Sequence, residues 1–156
     1  MLYERYRAQL PKLANMPEEY YRFFYALPSF HDPALVRRTL EFAISPDVRT
    51  QDTAQLIAAL IGHPQSREAA WAFVKANWDT LTKSLGIFQG IPRIAGSVGA
   101  FCSREAEMDA EQFFKAHPVP AAERTLRQAF ERIVACIAFK ERQSAPAAAW
   151  LAAAAR

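Results

Sequence analysis

Ser66-Arg67-Glu68-Ala69-Ala70-Trp71-Ala72-Phe73-Val74-Lys75-Ala76-Asn77-Trp78-Asp79-Thr80-Leu81-Thr82-Lys83-Ser84-Leu85 sets its apolar residues at helical intervals. Trp71, Val74, Trp78, Leu81 and Leu85 step by three and four, which lines one face of a helix. The same spacing recurs at Leu126, Phe130, Ile133 and Ile137, and nearly so at Ile91, Ala95, Val98 and Cys102. No run alternates with period two for long enough to make a strand. The class expected is therefore all-α. Trp71 and Trp78 are read as core.

Helices are expected over about Tyr3–Leu13, Glu18–Leu27, Pro33–Ile44, Thr50–Ile61, Ser66–Leu85, Phe88–Phe101, Arg104–Ala116 and Ala121–Gln143, with a short ninth near Ala147–Ala155. Pro17, Pro33, Pro64 and Pro120 fall at or near first turns, where a missing N–H costs nothing. Thr50, Ser66 and Ser103 read as N-caps and Asp32 precedes Pro33. Gly62 and Gly86 are placed just past helix ends, where a left-handed cap is expected. Tyr20, Phe24 and Leu27 form one apolar line of the second helix, and Tyr21 and Tyr25 another. Leu56 and Leu60 sit beside Ile57 and Ile61 in the same way. A helix with two apolar lines has neighbours on two sides, as stacked helical hairpins require. Paired helices begin near residues 18, 50, 88 and 120, a spacing suited to an irregular helical repeat.

The chain has 156 residues, 51% hydrophobic and 22% charged. That suits one globular domain, 1–156, that needs no disulfide or metal to hold together. The densest apolar run, Ile133 to Phe139, is far too short to span a bilayer. The first ten residues hold Glu4, Arg5 and Arg7 and no apolar core, so no signal peptide is expected. Net charge is +3, and acids and bases are interspersed, so no nucleic-acid partner is expected. Cys102 and Cys136 each lie in an apolar run and read as small buried thiols.

Chemistry-bearing patterns are sparse. His31, His63 and His117 each lie within two residues of a proline at a helix boundary, with none of the i, i+4 spacing of a zinc helix. Gly96-Ser97-Val98-Gly99 is no nucleophile elbow and reads as a close helix contact. Gly86 to Gly99 lacks the Lys-Ser/Thr ending of a phosphate loop. Glu105, Glu107, Asp109 and Glu111 open a helix, where the dipole favours acids. No catalytic residue and no metal ligand is assigned.

Two longer segments carry a family pattern. Ile61-Gly62-His63-Pro64-Gln65-Ser66-Arg67 through Trp71, Phe73, Lys75, Asn77, Trp78 and Leu81 resembles the N-P-x-(G/S)-R-x-x-A-W-x-F-(L/V)-K-x-N-W-x-x-L segment of zinc aminopeptidases. The relatives are the puromycin-sensitive and endoplasmic-reticulum types, gluzincins of the alanyl-aminopeptidase kind. Phe101-Cys102-Ser103 followed by Phe113-Phe114-Lys115-Ala116-His117-Pro118 is similar to the family's F-x-S and F-F-x-x-(H/N)-P run. Asp32-Pro33-Ala34-Leu35, Val48-Arg49-Thr50-Gln51-Asp52 and the terminal Trp150-Leu151 also fit.

The resemblance implies an irregular superhelix of HEAT-like or armadillo-like antiparallel hairpins with eight or nine helices. In that family the zinc helix and the substrate loop lie in an upstream catalytic domain, so the resemblance carries no catalytic residue onto this chain. It implies a C-terminal domain that covers the active-site cavity and helps control peptide access. The implied partners are that catalytic domain, with its zinc, and the peptide substrate. Phe88 and Arg93, in the stretch from Phe88 to Gly99, are the candidate contacts on a concave face. A bared apolar face would favour a weak homodimer. The competing expectation is a freestanding helical adaptor that binds a protein or peptide partner, and a peptide-binding regulator descended from the enzyme is a third. The compartment stays open, with the cytoplasm slightly favoured.

Overall fold

A computed structural model describes residues 1–86 and 90–154, and the described residues hold helices and no strand. The α-helices are α1 (Leu2–Gln9), α2 (Pro17–Phe24), α3 (Pro33–Ala43), α4 (Thr50–Gly62), α5 (Arg67–Ala76), α6 (Trp78–Leu85), α7 (Gly90–Ser97), α8 (Arg104–Ala116) and α9 (Glu123–Ala154). Short 3-10 turns follow α1 at Pro11–Leu13, α2 at Leu27–Ser29 and α7 at Val98–Ala100, and Pro120–Ala122 leads into α9. None of the described helices is long and apolar enough to cross a membrane. The chain divides into two compact units, Met1–Ile94 and Ala95–Arg156.

In the first unit α4 packs against α3, α5 and α6. Its Leu56, Ile57, Leu60 and Ile61 have no exposed surface, so both apolar lines read from the sequence are covered. Trp71 and Trp78 are each only 6% exposed and lie in the core with Val74, Leu81 and Leu85. The buried Tyr3 hydroxyl sits 3.1 Å from Thr39 Oγ1, joining α1 to α3. Arg38 and Glu4 add an exposed ion pair between the same helices.

The second unit has a thinner core, in which Val98, Phe101, Ala110, Phe114, Ala122, Ala129, Ile133 and Ile137 are buried. The turn at Val98–Ala100 packs on α9. A Cβ on Gly96 would stand 2.8 Å from Thr125 Cγ2, and one on Gly99 would stand 2.6 Å from Arg132 Nε. Arg132 Nη2 also donates to the Gly96 carbonyl at 2.9 Å. The close helix contact read at Gly96–Gly99 is thus made to α9.

Capping follows the sequence in part. The Asp32 carboxylate accepts from the N–H groups of Ala34 and Leu35 at 2.9 and 3.2 Å, and Ser103 Oγ accepts from Ala106 N–H. Arg49, with no side-chain cap bond, occupies the position expected of Thr50. The Ser66 hydroxyl turns away to donate to the Leu60 carbonyl at 2.6 Å. Gly86 has φ −54° and Gly62 ends α4 inside the helix, so neither is a left-handed cap.

Three further expectations need correction. The run Ser66–Leu85 breaks at Asn77, whose side-chain amide donates to the Phe73 carbonyl at 2.9 Å and satisfies an end-of-helix acceptor locally. The two last helices are one, because α9 runs through Pro146. The ring removes a single backbone bond on an exposed segment, where water can satisfy the freed carbonyl. The cysteines are not thiols: Cys102 and Cys136 form a disulfide with Cα atoms 5.3 Å apart. The chain returns along α9 to pass the residue before the α8 cap, and both cysteines are half-buried.

Trp78→Ala should lower stability by about 3–5 kcal/mol, the usual cost of emptying a buried indole site, in a urea melt; a loss under about 1 kcal/mol would place the ring at the surface. The 34-residue separation of the cysteines corresponds to about 4 kcal/mol of loop-closure stabilisation. Reduction should therefore shift melting of the second unit clearly downward. An unchanged melt, with two thiols titrating before any reductant is added, would contradict the pairing.

Candidate functional site

A concavity of mixed polarity in the first unit is built beside α2. The helix starts at Pro17, with Glu18 and Glu19 in its first turn. Aromatic residues at 20, 21, 24 and 25 make a ledge: Tyr20 stacks on Phe24 with ring centres 5.6 Å apart, and Tyr21 stacks on Tyr25 at 5.2 Å. Residues four apart share a helix face, so each stack follows directly from the spacing. Below the ledge lies Asp52, in the first turn of α4 and only 5% exposed. The Tyr21 hydroxyl donates to its Oδ2 at 3.0 Å. That bond compensates the burial of a carboxylate and fixes the ring.

Two clefts open beside the ledge and share Ala14, Tyr20 and Asp47. One, of about 310 Å³, is lined by Arg7, Leu10, Pro11, Ala14, Tyr20, Phe42 and Asp47. The other, of about 120 Å³, adds Pro17, Tyr21 and Arg49. The Arg7 guanidinium carbon lies 3.2 Å from the centre of the Phe42 ring, a cation–π contact at the cleft wall. Burial lowers the Arg7 pKa from its ordinary value. Burial, then the charge of Asp52, raises the pKa of both Tyr20 and Tyr25. Their phenols are therefore neutral hydrogen-bond donors and acceptors near pH 7. The cleft offers aromatic surface, phenol hydroxyls and charges of both signs. Such a set can hold a polar chain and orient it.

Of the sequence candidates, Phe88 lies outside the described residues. Arg93 is exposed on α7, and its charge acts on Tyr25. A third cleft, of about 580 Å³, lies between α8 and α9 in the second unit. Glu107, Glu111, Phe130 and Val134 are among its lining residues. His117 stays beside Phe113 on α8, with ring centres 4.6 Å apart, whereas His31 and His63 meet at 5.2 Å. Sequence reading missed that meeting, the Arg7–Phe42 contact and the Tyr21–Asp52 bond. The tyrosines at i and i+4 were visible; their partners come from other helices.

Residues 2–135 match the family model described as ERAP1-like C-terminal domain. The chain is 32% identical over 121 residues to Aminopeptidase M1-C of Oryza sativa subsp. japonica, covering 75% of this chain and 13% of that protein. It is 31% identical over 120 residues to Aminopeptidase M1 of Arabidopsis thaliana, covering 76% of this chain and 13% of that protein. Probable aminopeptidase 1 of Saccharolobus solfataricus is 26% identical over 125 residues, 78% of this chain and 16% of that protein. The chain thus spans only 13–16% of the length of these relatives. With the family model covering most of the residues, the chain belongs to the ERAP1-like C-terminal domain family.

Proposed function

We propose that this chain is a non-catalytic C-terminal portion of a zinc aminopeptidase, covering the active-site cavity and helping to control peptide access and docking. The observation that carries the proposal is the family match over residues 2–135. The cleft beside the α2 ledge adds to it. Its Tyr20 and Tyr21 rings offer flat apolar surface, while Arg7, Asp47 and Arg49 offer hydrogen bonds and charge to a peptide backbone. Arg93 is the proposed further contact, and Phe88 is kept beside it on sequence grounds.

Among the described residues no three His, Cys, Asp or Glu side chains stand together in a way that could hold a metal ion. They do not fit the family's zinc, and no step through zinc is derived for them. Zinc, and with it peptide-bond cleavage, is proposed for a separate catalytic domain. The disulfide supports maturation of the protein in an oxidising compartment, which replaces the weak preference for the cytoplasm.

The purified chain should hydrolyse no aminoacyl-nitroanilide with or without added zinc; zinc-dependent turnover would overturn the reading. Short peptides should shift the ring resonances of Tyr20 and Tyr21 saturably, and Arg93→Ala should weaken that response. No shift at millimolar peptide would count against docking here. Leu2, Met16, Tyr25 and Ile44 are exposed apolar side chains of the first unit, and a weak homodimer through such surface is proposed. Sedimentation equilibrium should show concentration-dependent association, and a strict monomer would remove that partner.

A further inference from the structure

The geometry points to a two-histidine site for a first-row divalent metal ion, formed by His31 and His63. The two imidazoles come from different elements. His31 follows the turn at Leu27–Ser29, and His63 caps the C-terminus of α4. That turn packs on α4, which brings residues 32 apart in sequence to a ring-centre distance of 5.2 Å, with the planes tilted by 54°.

The separation suits a shared ion. An imidazole nitrogen lies about 1.1 Å from its ring centre, and with metal–nitrogen bonds of about 2.0–2.1 Å at a tetrahedral angle the two centres stand roughly 5 Å apart. The observed 5.2 Å between ring centres is therefore the spacing of two imidazoles on one ion.

The His63 backbone is held in place, and His31 abuts the capped start of α3. The His63 N–H donates to the Ala59 carbonyl, and its own carbonyl accepts from Ser66 and Arg67 N–H at 3.2 and 3.0 Å. His31 is directly followed by Asp32, whose carboxylate is committed to capping α3. Both rings reach solvent, His31 being exposed and His63 half-buried. In the aminopeptidase segment that this stretch resembles, Asn stands where this chain has His63, so the ring is a departure from the pattern.

The donor set selects the ion. Two neutral imidazoles suit Zn²⁺, Ni²⁺ or Cu²⁺, whereas Mg²⁺ and Ca²⁺ need several oxygen ligands. The nearby Arg67 guanidinium donates to the Ile61 and Gly62 carbonyls at 3.0 and 3.2 Å. Its charge opposes a cation and keeps the site modest in affinity. Two protein ligands leave coordination positions for water or for a donor brought by a partner.

The test is calorimetric titration of Zn²⁺ and Ni²⁺ into the whole, untagged chain. One saturable site is expected, at least about tenfold weaker in His31→Ala and in His63→Asn and unchanged in His117→Ala. On the unaltered chain, substoichiometric Ni²⁺ should broaden the ring resonances of His31 and His63 before those of His117, a readout that does not depend on how the variants fold. No saturable binding up to about 1 mM, binding equally tight in His31→Ala and His63→Asn, or broadening centred on His117 would overturn the assignment.

Discussion

Burial of α4 on two sides is the constraint on which the first unit depends. Leu56 and Leu60 cover one side and Ile57 and Ile61 the other, and none of the four retains exposed surface. Apolar burial of this kind stabilises by about 1.5–3 kcal/mol per side chain. It also leaves α4 no freedom to slide. Its two ends consequently hold what they carry at fixed positions. Asp52, in the first turn, anchors the tyrosine ledge through Tyr21. His63, at the C-cap, stands against His31. The proposed peptide-docking cleft and the proposed metal site are both held by one buried helix.

The second unit works differently. Its core relies on small residues such as Ala110, Ala122 and Ala129, which bury little area each but allow close backbone approach. Gly96 and Gly99 admit Thr125 and Arg132 of α9 for the same reason. A core this thin gains much from a covalent cross-link. The Cys102–Cys136 bond ties α9 to the entry of α8 and supplies it. Beyond Ala138 the helix α9 is exposed along its length, with Trp150 69% and Phe139 60% accessible.

Most of the fold was legible because helices announce themselves locally. The three-and-four spacing through Trp71, Val74, Leu81 and Leu85 is a property of neighbouring residues, and all of them are buried. The double apolar lines of α4 also told that it would have neighbours on two sides. The break at Asn77 and the continuity through Pro146 were not legible. Each turns on one local competition, in which a side-chain amide ends one helix and solvent tolerates a ring in the other.

The candidate site was less legible still. Tyr20, Tyr21, Phe24 and Tyr25 were recognised as lining α2, but Asp52 is 31 residues from Tyr21. The cysteines are 34 apart and the contacting histidines 32 apart. Such pairings are created by helix packing and leave no trace in spacing along the chain. Hydrogen exchange under native conditions measures most directly whether α4 is the fixed element described here. The backbone amides of Leu56 to Ile61 should be the slowest of the first unit, opening only with global unfolding. Exchange there as fast as at the exposed end of α9 would show that α4 is not the element holding the sites in place.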